Sequence, residues 1–471
     1  MSSDVLPQPT PALFPAPATR ERIDDLLTRE LLRAHERVVR GSVMPTLDRA
    51  ALRAELARFD FQTPRPIEEL LEWTIAQMES GVVHMTHPRY FGLFNPAPNF
   101  PSQCADRIAG AFNPQLASSG SSPAPIEIEA HVIGAMAQRA GLPADARGHF
   151  TVSGAEANYT SLICALTRVQ PHFGADGVRA FAGPVAFYAS RDAHQTWYKI
   201  AHQAGVGRSA LRLIATDGKG QMDPSALAEA VHADRAQGVV PVLVCATAGT
   251  TTGGMIDPLA ECGQIARANG LWYHVDAAWG GAALASDRLR GLLRGIELAD
   301  SITIDAHKWF ATTMGCGMFL TRHRAVLSEA FCVTTSFMPS ENAGVDPYLN
   351  SVQWSRRFMG LRLFLSLAAA GWSGYGAHVE RATAVVASAK KQLLEHGWTV
   401  VNDSPLAVLC VLPPAGSPAV RDIVQRVLAD GRAWVAAAAF EGRDVVRICA
   451  THGETNAQDV KVMVEALQAA L

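Results

Sequence analysis

From about residue 149 the chain alternates short apolar runs with amphipathic stretches. Runs at 184–189, 210–215, 239–247, 271–276, 301–304 and 317–321 are bounded by turn residues and predict strands. Between them, apolar positions recur every three or four residues over 155–169, 194–204, 224–237 and 258–268, which predicts helices. Asp223 followed by Pro224 marks a helix start, with the carboxylate as N-cap and proline at the first helical position. Strand then helix, repeated, predicts a mostly parallel sheet covered on both faces.

The flanks have other rhythms. The first twenty residues are proline-rich and read as an extended arm, and helical spacing over 23–41 and 48–59 predicts helices that lie across another surface. The stretch "THPRYFGLFNPAPNFPSQ" carries too much Pro, Gly and Asn for a regular element and reads as an ordered loop whose aromatics pack against a neighbour. After about residue 376 a long helical pattern, then "LAVLCVLP", a helix near 419–430 and "DVVRICAT", predict a smaller α/β unit. The expected division is 1–85, an N-terminal helical arm; 86–375, a large domain; and 376–471, a small C-terminal domain.

Composition narrows the function classes. The 471 residues are 48% hydrophobic and 18% charged, enough for a large core. A formal net charge of −3 without a basic stripe argues against nucleic acid or an anionic membrane as partner. No basic start followed by an apolar core opens the chain, and no apolar run nears the roughly 18 residues of a membrane span, so a cytoplasmic protein is expected. Eight cysteines, scattered singly, indicate neither a disulfide framework nor a metal site.

In open α/β sheets ligands bind beyond the carboxyl ends of the strands, so polar residues that interrupt apolar runs there are the candidates. "FTVSGAEANYT" puts Gly154 and Ala155 at a loop-to-helix turn, where free backbone N–H groups and the helix dipole favour an anion. "CATAGTTTGG" ends a run at Thr247, "LWYHVDAAWGG" places Asp276 before small residues that admit something flat, and "ITIDAHKWF" supplies Asp305, His307 and Lys308. Singly, each has an ordinary structural explanation: a common turn, a helix cap, a packed histidine, a solvent-facing lysine. Together, an anion cradle, a carboxylate and a lysine on successive strand ends are what pyridoxal phosphate needs. Burial and a neighbouring cation would both lower the pKa of Lys308, and the apolar run leading to it predicts burial.

The motifs "HPRYF", "SGAEAN", "DAHQTWYK", "ATAGTTTGGMIDPL", "YHVDAAWGG", "DAHKW" and "QWSRRF" occur in one order from about His87 to the C-terminus. In that order and spacing the sequence resembles the group II pyridoxal-phosphate-dependent amino acid decarboxylases. The resemblance implies fold type I with a seven-stranded sheet. It implies Lys308 as the Schiff-base lysine, Asp276 as partner of the pyridine nitrogen and His194 as the imidazole stacked on the ring. Thr247 and Ala278 would lie against the cofactor, with Gly154, Ala155 and Asp305 or His307 around its phosphate. It also implies a homodimer with shared active sites, the N-terminal helices embracing the partner.

Two positions depart from the family pattern. Ala155 stands where relatives often carry serine in the phosphate loop, and Ser355 of "QWSRRF" is the candidate replacement donor. Phe337, in "TTSFMPSEN", stands where the family places a tyrosine regarded as the acid that returns a proton to the substrate carbon after carbon dioxide leaves. Phenylalanine has no proton to give. Relatives with phenylalanine there resemble aldehyde synthases, which consume oxygen and release aldehyde, ammonia and hydrogen peroxide. Alternatively the loop is shifted, and Tyr348 or His194 supplies the proton.

For the substrate, Phe94 and Asn95 stand roughly where aromatic decarboxylases place bulky aromatics, while Gln115 and Ala117 make the opposite wall smaller and more polar. An aromatic or medium-sized apolar L-amino acid is expected. An acidic substrate calls for a dedicated cation, and Arg89 is the one arginine these loops offer. Decarboxylation to the amine is the leading expectation and oxidative decarboxylation to the aldehyde the alternative. A different activity on the same fold, such as aminotransfer or carbon–sulfur lysis, is disfavoured by "DAHKW" and "HVDAAWGG".

Overall fold

A computed structural model describes residues 10–333 and 346–471. Phe337 and its loop lie outside the described residues. The predicted alternation folds into a seven-stranded sheet of β1 (Arg147–Thr151), β2 (Val185–Ser190), β3 (Leu211–Ile214), β4 (Val240–Thr247), β5 (Trp272–Asp276), β6 (Ser301–Asp305) and β7 (Gly317–Thr321). Their spatial order is β1-β7-β6-β5-β4-β2-β3. Only β7 runs against the others, pairing antiparallel with both β1 and β6. All residues of β2, β5, β6 and β7 are buried, which explains their unbroken apolar character: helices cover both faces.

Six of these strands match the predicted runs, and the seventh was not among them. "RGHFT" carries Arg147, Gly148 and His149 and lacks a strand's apolar pattern, yet it pairs residue for residue with β7. Gly148 permits the approach, since a Cβ there would lie 2.0 Å from the Phe319 carbonyl oxygen. Of the predicted helices, that from Asp223 begins as expected: Pro224–Ala236 is capped by the Asp223 carboxylate, which accepts from Ser225 N at 2.8 Å.

The N-terminal helices Pro17–Arg40, Arg49–Leu56 and Ile67–Gly81 contain no buried residue. Leu31, Leu32, Leu56 and Met78 are about half exposed or more, so the apolar faces of this arm are uncovered within the chain. The C-terminal unit is an antiparallel sheet, order β10-β11-β9-β8, formed by β8 (Thr399–Val400), β9 (Val408–Leu412), β10 (Ala436–Phe440) and β11 (Arg443–Cys449). The helix Gly360–Glu395 joins it to the large sheet, so the expected boundary after residue 375 falls inside a helix. The break in that helix is at Gly371, whose φ of 64° takes it out of helical geometry.

The aromatic loop packs as predicted, and its neighbour is the small sheet. Phe91 N donates to Trp434 O at 2.8 Å, Cys449 N donates to Phe91 O at 3.0 Å, and the Tyr90 ring packs tilted against Trp434 at 5.1 Å. Gly92 is required here, because a Cβ would come within 2.3 Å of the Trp434 ring. Among the described residues no helix is long and apolar enough to cross a membrane, and no cluster of metal-ligating side chains occurs.

Candidate active site

Three of the predicted polar residues are the last residues of adjacent parallel strands: Thr247 of β4, Asp276 of β5 and Asp305 of β6. Their side chains are nearly inaccessible, at 5%, 5% and 2% exposure. Beside them the helix Gly154–Val169 begins at the predicted cradle. Its N-cap, Ser153, makes no side-chain cap, so the first amides of the helix are not satisfied by that hydroxyl. Gly154 is tightly fitted, for a Cβ there would lie 2.8 Å from Asp305 Oδ2.

Lys308 lies in the turn that leaves β6. Its Nζ stands 3.0 Å from Asp305 Oδ2, and the side chain is 22% exposed. The ion-pair partner is therefore a carboxylate. Physically the reason is simple: residues three apart in this turn point the same way, so Asp305 reaches the amine directly. His307 faces the same carboxylate oxygen at 3.9 Å, and its Nδ1 accepts from Cys316 N at 3.2 Å. Burial lowers the His307 pKa below the ordinary value, with Asp305 pulling it back.

Asp276 accepts from Asn158 Nδ2 at 2.8 Å and, through its other oxygen, from Ala278 N at 3.1 Å. His194 is exposed as a residue, yet protein crowding lowers its pKa, with Asp276 and Asp305 acting to raise it and Lys308 to lower it. The imidazole Nδ1 lies 2.8 Å from Thr196 Oγ1.

Two buried polar atoms at these strand ends have no partner: Thr247 Oγ1 and Asp305 Oδ1. Buried polar atoms are ordinarily satisfied, so orphans clustered at one site suit a ligand with polar groups to offer them. The cradle for an anion, the acceptor-only carboxylate of Asp276 and the amine of Lys308 match the phosphate, ring nitrogen and aldehyde of pyridoxal phosphate. A cavity of about 550 Å³ lined by Lys219, Asp257, Arg294 and Asp403 contains none of the predicted site residues.

The remaining candidates are distributed differently. Ser355 accepts from Gln115 Nε2 at 3.1 Å, so within one chain these two meet each other. Asn95 is half-buried, its Nδ2 3.1 Å from Met314 Sδ. Ala117 is fully buried against Tyr348 and Leu349, and its side chain packs rather than lines an open wall. Phe94 is buried and stacks on Trp279 at 4.2 Å, and Trp279 packs on Trp309, the residue after Lys308, at 5.5 Å.

Sequence reasoning missed Arg447. It comes from β11, is 3% exposed, and holds its guanidinium 4.7 Å above Phe94. Its Nε donates to Thr251 O and one Nη to Gly92 O, while Nη2 has no partner. Arg89, the cation weighed earlier, is engaged with His87. The one available signal for Arg447 was an arginine inside the apolar run "DVVRICAT".

Residues 53–410 match the profile of the pyridoxal-dependent decarboxylase conserved domain. The chain belongs to the group II pyridoxal-phosphate-dependent decarboxylases. Among these decarboxylases it is 31% identical to the aromatic-L-amino-acid decarboxylase of Bos taurus over 355 residues, 72% of each chain. It is 29% identical to the acidic amino acid decarboxylase GADL1 of Mus musculus over 345 residues, 69% of this chain and 62% of that one. An Oryza sativa structure described as TDC with PLP and tryptamine superposes with a TM-score of 0.90 at 25% identity, covering 97% of this chain and 98% of that one. A Rhodiola rosea 4-hydroxyphenylacetaldehyde synthase shares the fold, with a TM-score of 0.88 at 22% identity and coverage of 97% and 98%. The protein is thus a pyridoxal-phosphate-dependent carboxy-lyase acting on an amino acid.

Proposed function

We propose that this decarboxylase removes the α-carboxyl group of an aromatic or medium-sized apolar L-amino acid and releases the amine, with Lys308 as the residue that carries the cofactor. The observation that carries the assignment of Lys308 is its amine held 3.0 Å from Asp305 at the end of β6, beside Asp276 and the helix start. When bound, pyridoxal phosphate supplies the electron sink for the electrons of the broken carbon–carboxyl bond. Asp276, which only accepts, holds the proton on the ring nitrogen. The amides at Gly154 and Ala155 bind the phosphate. Lys308 attaches the cofactor and takes up and returns protons at its amine, and Asp305 positions that amine rather than contacting the phosphate, where its charge would repel. Thr247 and Ala278 bound the ring and His194 covers its outer side.

The substrate class rests on Phe94 and Trp279, which present apolar surface beside the site, and on relatives named for aromatic amino acids. Segments 1–85, 86–375 and 376–471 serve as arm, large domain and small domain. The uncovered apolar faces of the arm support a homodimer. A second reading, oxidative decarboxylation to the aldehyde, is favoured by Phe337, which has no proton to return to the substrate carbon.

One experiment tests these assignments. The enzyme is incubated under air with a panel of L-amino acids, and amine, aldehyde and hydrogen peroxide are measured together. Amine from aromatic substrates without peroxide supports the first reading. Stoichiometric aldehyde and peroxide, shifted toward amine by Phe337→Tyr, replaces it with the second. A cofactor absorbance band that survives Lys308→Ala unchanged removes Lys308 from its role.

A further inference from the structure

The face of the large sheet beneath the helix Gly154–Val169 carries a line of polar side chains through the core. Trp272, His274 and Asp276 alternate along β5, and Ser301, Thr303 and Asp305 alternate along β6, so both triplets point to one face. Above them Gly154, Asn158 and Ser161 lie on one stripe of the helix. Asn158, His274, Ser301 and Thr303 are at most 2% exposed.

The hydrogen bonds among them form one chain. Trp272 Nε1 donates to Ser301 Oγ at 2.8 Å, and Ser301 Oγ lies 2.8 Å from His274 Nδ1. His274 Nε2 lies 3.0 Å from Asn158 Oδ1, which also accepts from Thr303 Oγ1 at 2.7 Å. Asn158 Nδ2 then donates to Asp276 Oδ2 at 2.8 Å. Four of these groups could point either way: two hydroxyls, an imidazole and an amide. The ends decide, because an indole N–H can only donate and a carboxylate can only accept. From the carboxylate end, Asn158 must turn its NH2 toward Asp276, which leaves its Oδ1 to accept from His274 Nε2. Complete burial keeps the His274 ring neutral with that proton on Nε2, so Nδ1 accepts from the Ser301 hydroxyl.

We propose that Asn158 and His274 are positioning residues for the cofactor: they form a one-way donor relay that fixes the Asp276 carboxylate as an acceptor aimed at the ring nitrogen. The proposal rests on the assignment of Asp276 above. A structural account needs no such line, since apolar side chains of similar volume would fill this core without any polar group to satisfy. The relay ends on the one carboxylate of the face that the cofactor ring requires. Ser301 and Thr303 act on it through His274 and Asn158.

The test measures the affinity of the apo-protein for pyridoxal phosphate by absorbance titration, together with the spectrum of the bound cofactor. Asp276→Ala is the control, with a large loss of affinity expected. Asn158→Ala and His274→Phe are expected to weaken binding about tenfold and to shift the absorbance maximum of the bound cofactor. Asn158→Asp should be worse than Asn158→Ala, because it sets a second carboxylate against Asp276. His274→Gln, which keeps an N–H donor, should recover part of the loss. Wild-type affinity and an unchanged spectrum in Asn158→Ala and His274→Phe, with Asp276→Ala impaired, overturn the relay alone. An Asp276→Ala protein with unimpaired binding overturns the assignment beneath it. Where variants fail to fold, the nitrogen NMR shifts of His274 in the unmodified protein decide: a neutral ring protonated at Nε2 is expected, and a proton on Nδ1 overturns the proposal.

Discussion

Asp305 and Lys308 face each other at 3.0 Å, with the carboxylate 2% exposed and its second oxygen unpartnered. A carboxylate three residues before the lysine holds the free amine in place. Asp305→Asn removes the countercharge from a lysine that is mostly buried, at a cost of about 1 kcal/mol. The expected result is a lower melting temperature for the apo-protein than for unmodified apo-protein, with the gap narrowing once cofactor occupies Lys308. Melting curves of both proteins with and without pyridoxal phosphate check it. An equal gap in both states would show that the pair does not depend on the free amine.

How much of this was legible in the sequence depended on whether the signal was local. Thr247, Asp276 and Asp305 each end an apolar run, and a strand end is a local event. The strand β1 was missed because its pairing with β7, made possible by Gly148, decides its conformation, not the pattern of "RGHFT". Asn158 and His274 gave no signal because their roles arise only when a helix docks on two strands. Arg447 reaches Phe94 from a separate sheet, far along the chain.

Acid should destabilise the protein through its buried histidines. Burial pushes His274 down to about 4 and His149 down to about 3. Each stays neutral in the folded chain while the unfolded chain takes up a proton below about 6.5, so stability is full above that pH and is lost as pH falls toward the folded value. The shift corresponds to on the order of 3 kcal/mol for His274. Asp257, pushed up to about 7, acts in the opposite sense over the same range and offsets part of it. Both His149 ring nitrogens lack partners, so His149→Phe removes a titrating group at little hydrogen-bonding cost. Urea midpoints at pH 7 and pH 5 should differ less in that variant than in the unmodified protein.

Gly154→Ala separates helix propensity from site geometry. Alanine in a helix is ordinarily favoured over glycine by roughly 0.5–1 kcal/mol. Here the added Cβ would stand 2.8 Å from Asp305 Oδ2, so the helix start or the carboxylate must move. Overpacking of this kind costs about 1–3 kcal/mol and should outweigh the propensity gain. Weaker retention of pyridoxal phosphate on dialysis, together with a lower melting temperature, is expected; a stabilised variant with unchanged retention would show that the cradle has room.

Arg447 ties the small sheet to the loop that carries Phe94. Its Nε donates to Thr251 O at 2.9 Å and an Nη to Gly92 O at 2.7 Å, while its planar face covers the Phe94 ring. Arg447→Met keeps apolar bulk but leaves both carbonyls without their donor, each at a cost of about 1–3 kcal/mol. The loop from Tyr90 to Asn95 should loosen, raising KM for an aromatic substrate more than it lowers kcat, because Lys308 and Asp276 are untouched. The unpartnered Nη2 adds a discriminating outcome. With an apolar substrate the effect stays indirect and moderate; with an acidic one, the variant would lose the cation nearest Phe94 and turnover would fall with it. Steady-state kinetics of Arg447→Met on phenylalanine, tyrosine, tryptophan, aspartate and glutamate therefore reports both the anchoring of the loop and the charge of the side chain the pocket accepts. A loss confined to the acidic substrates would overturn the aromatic assignment.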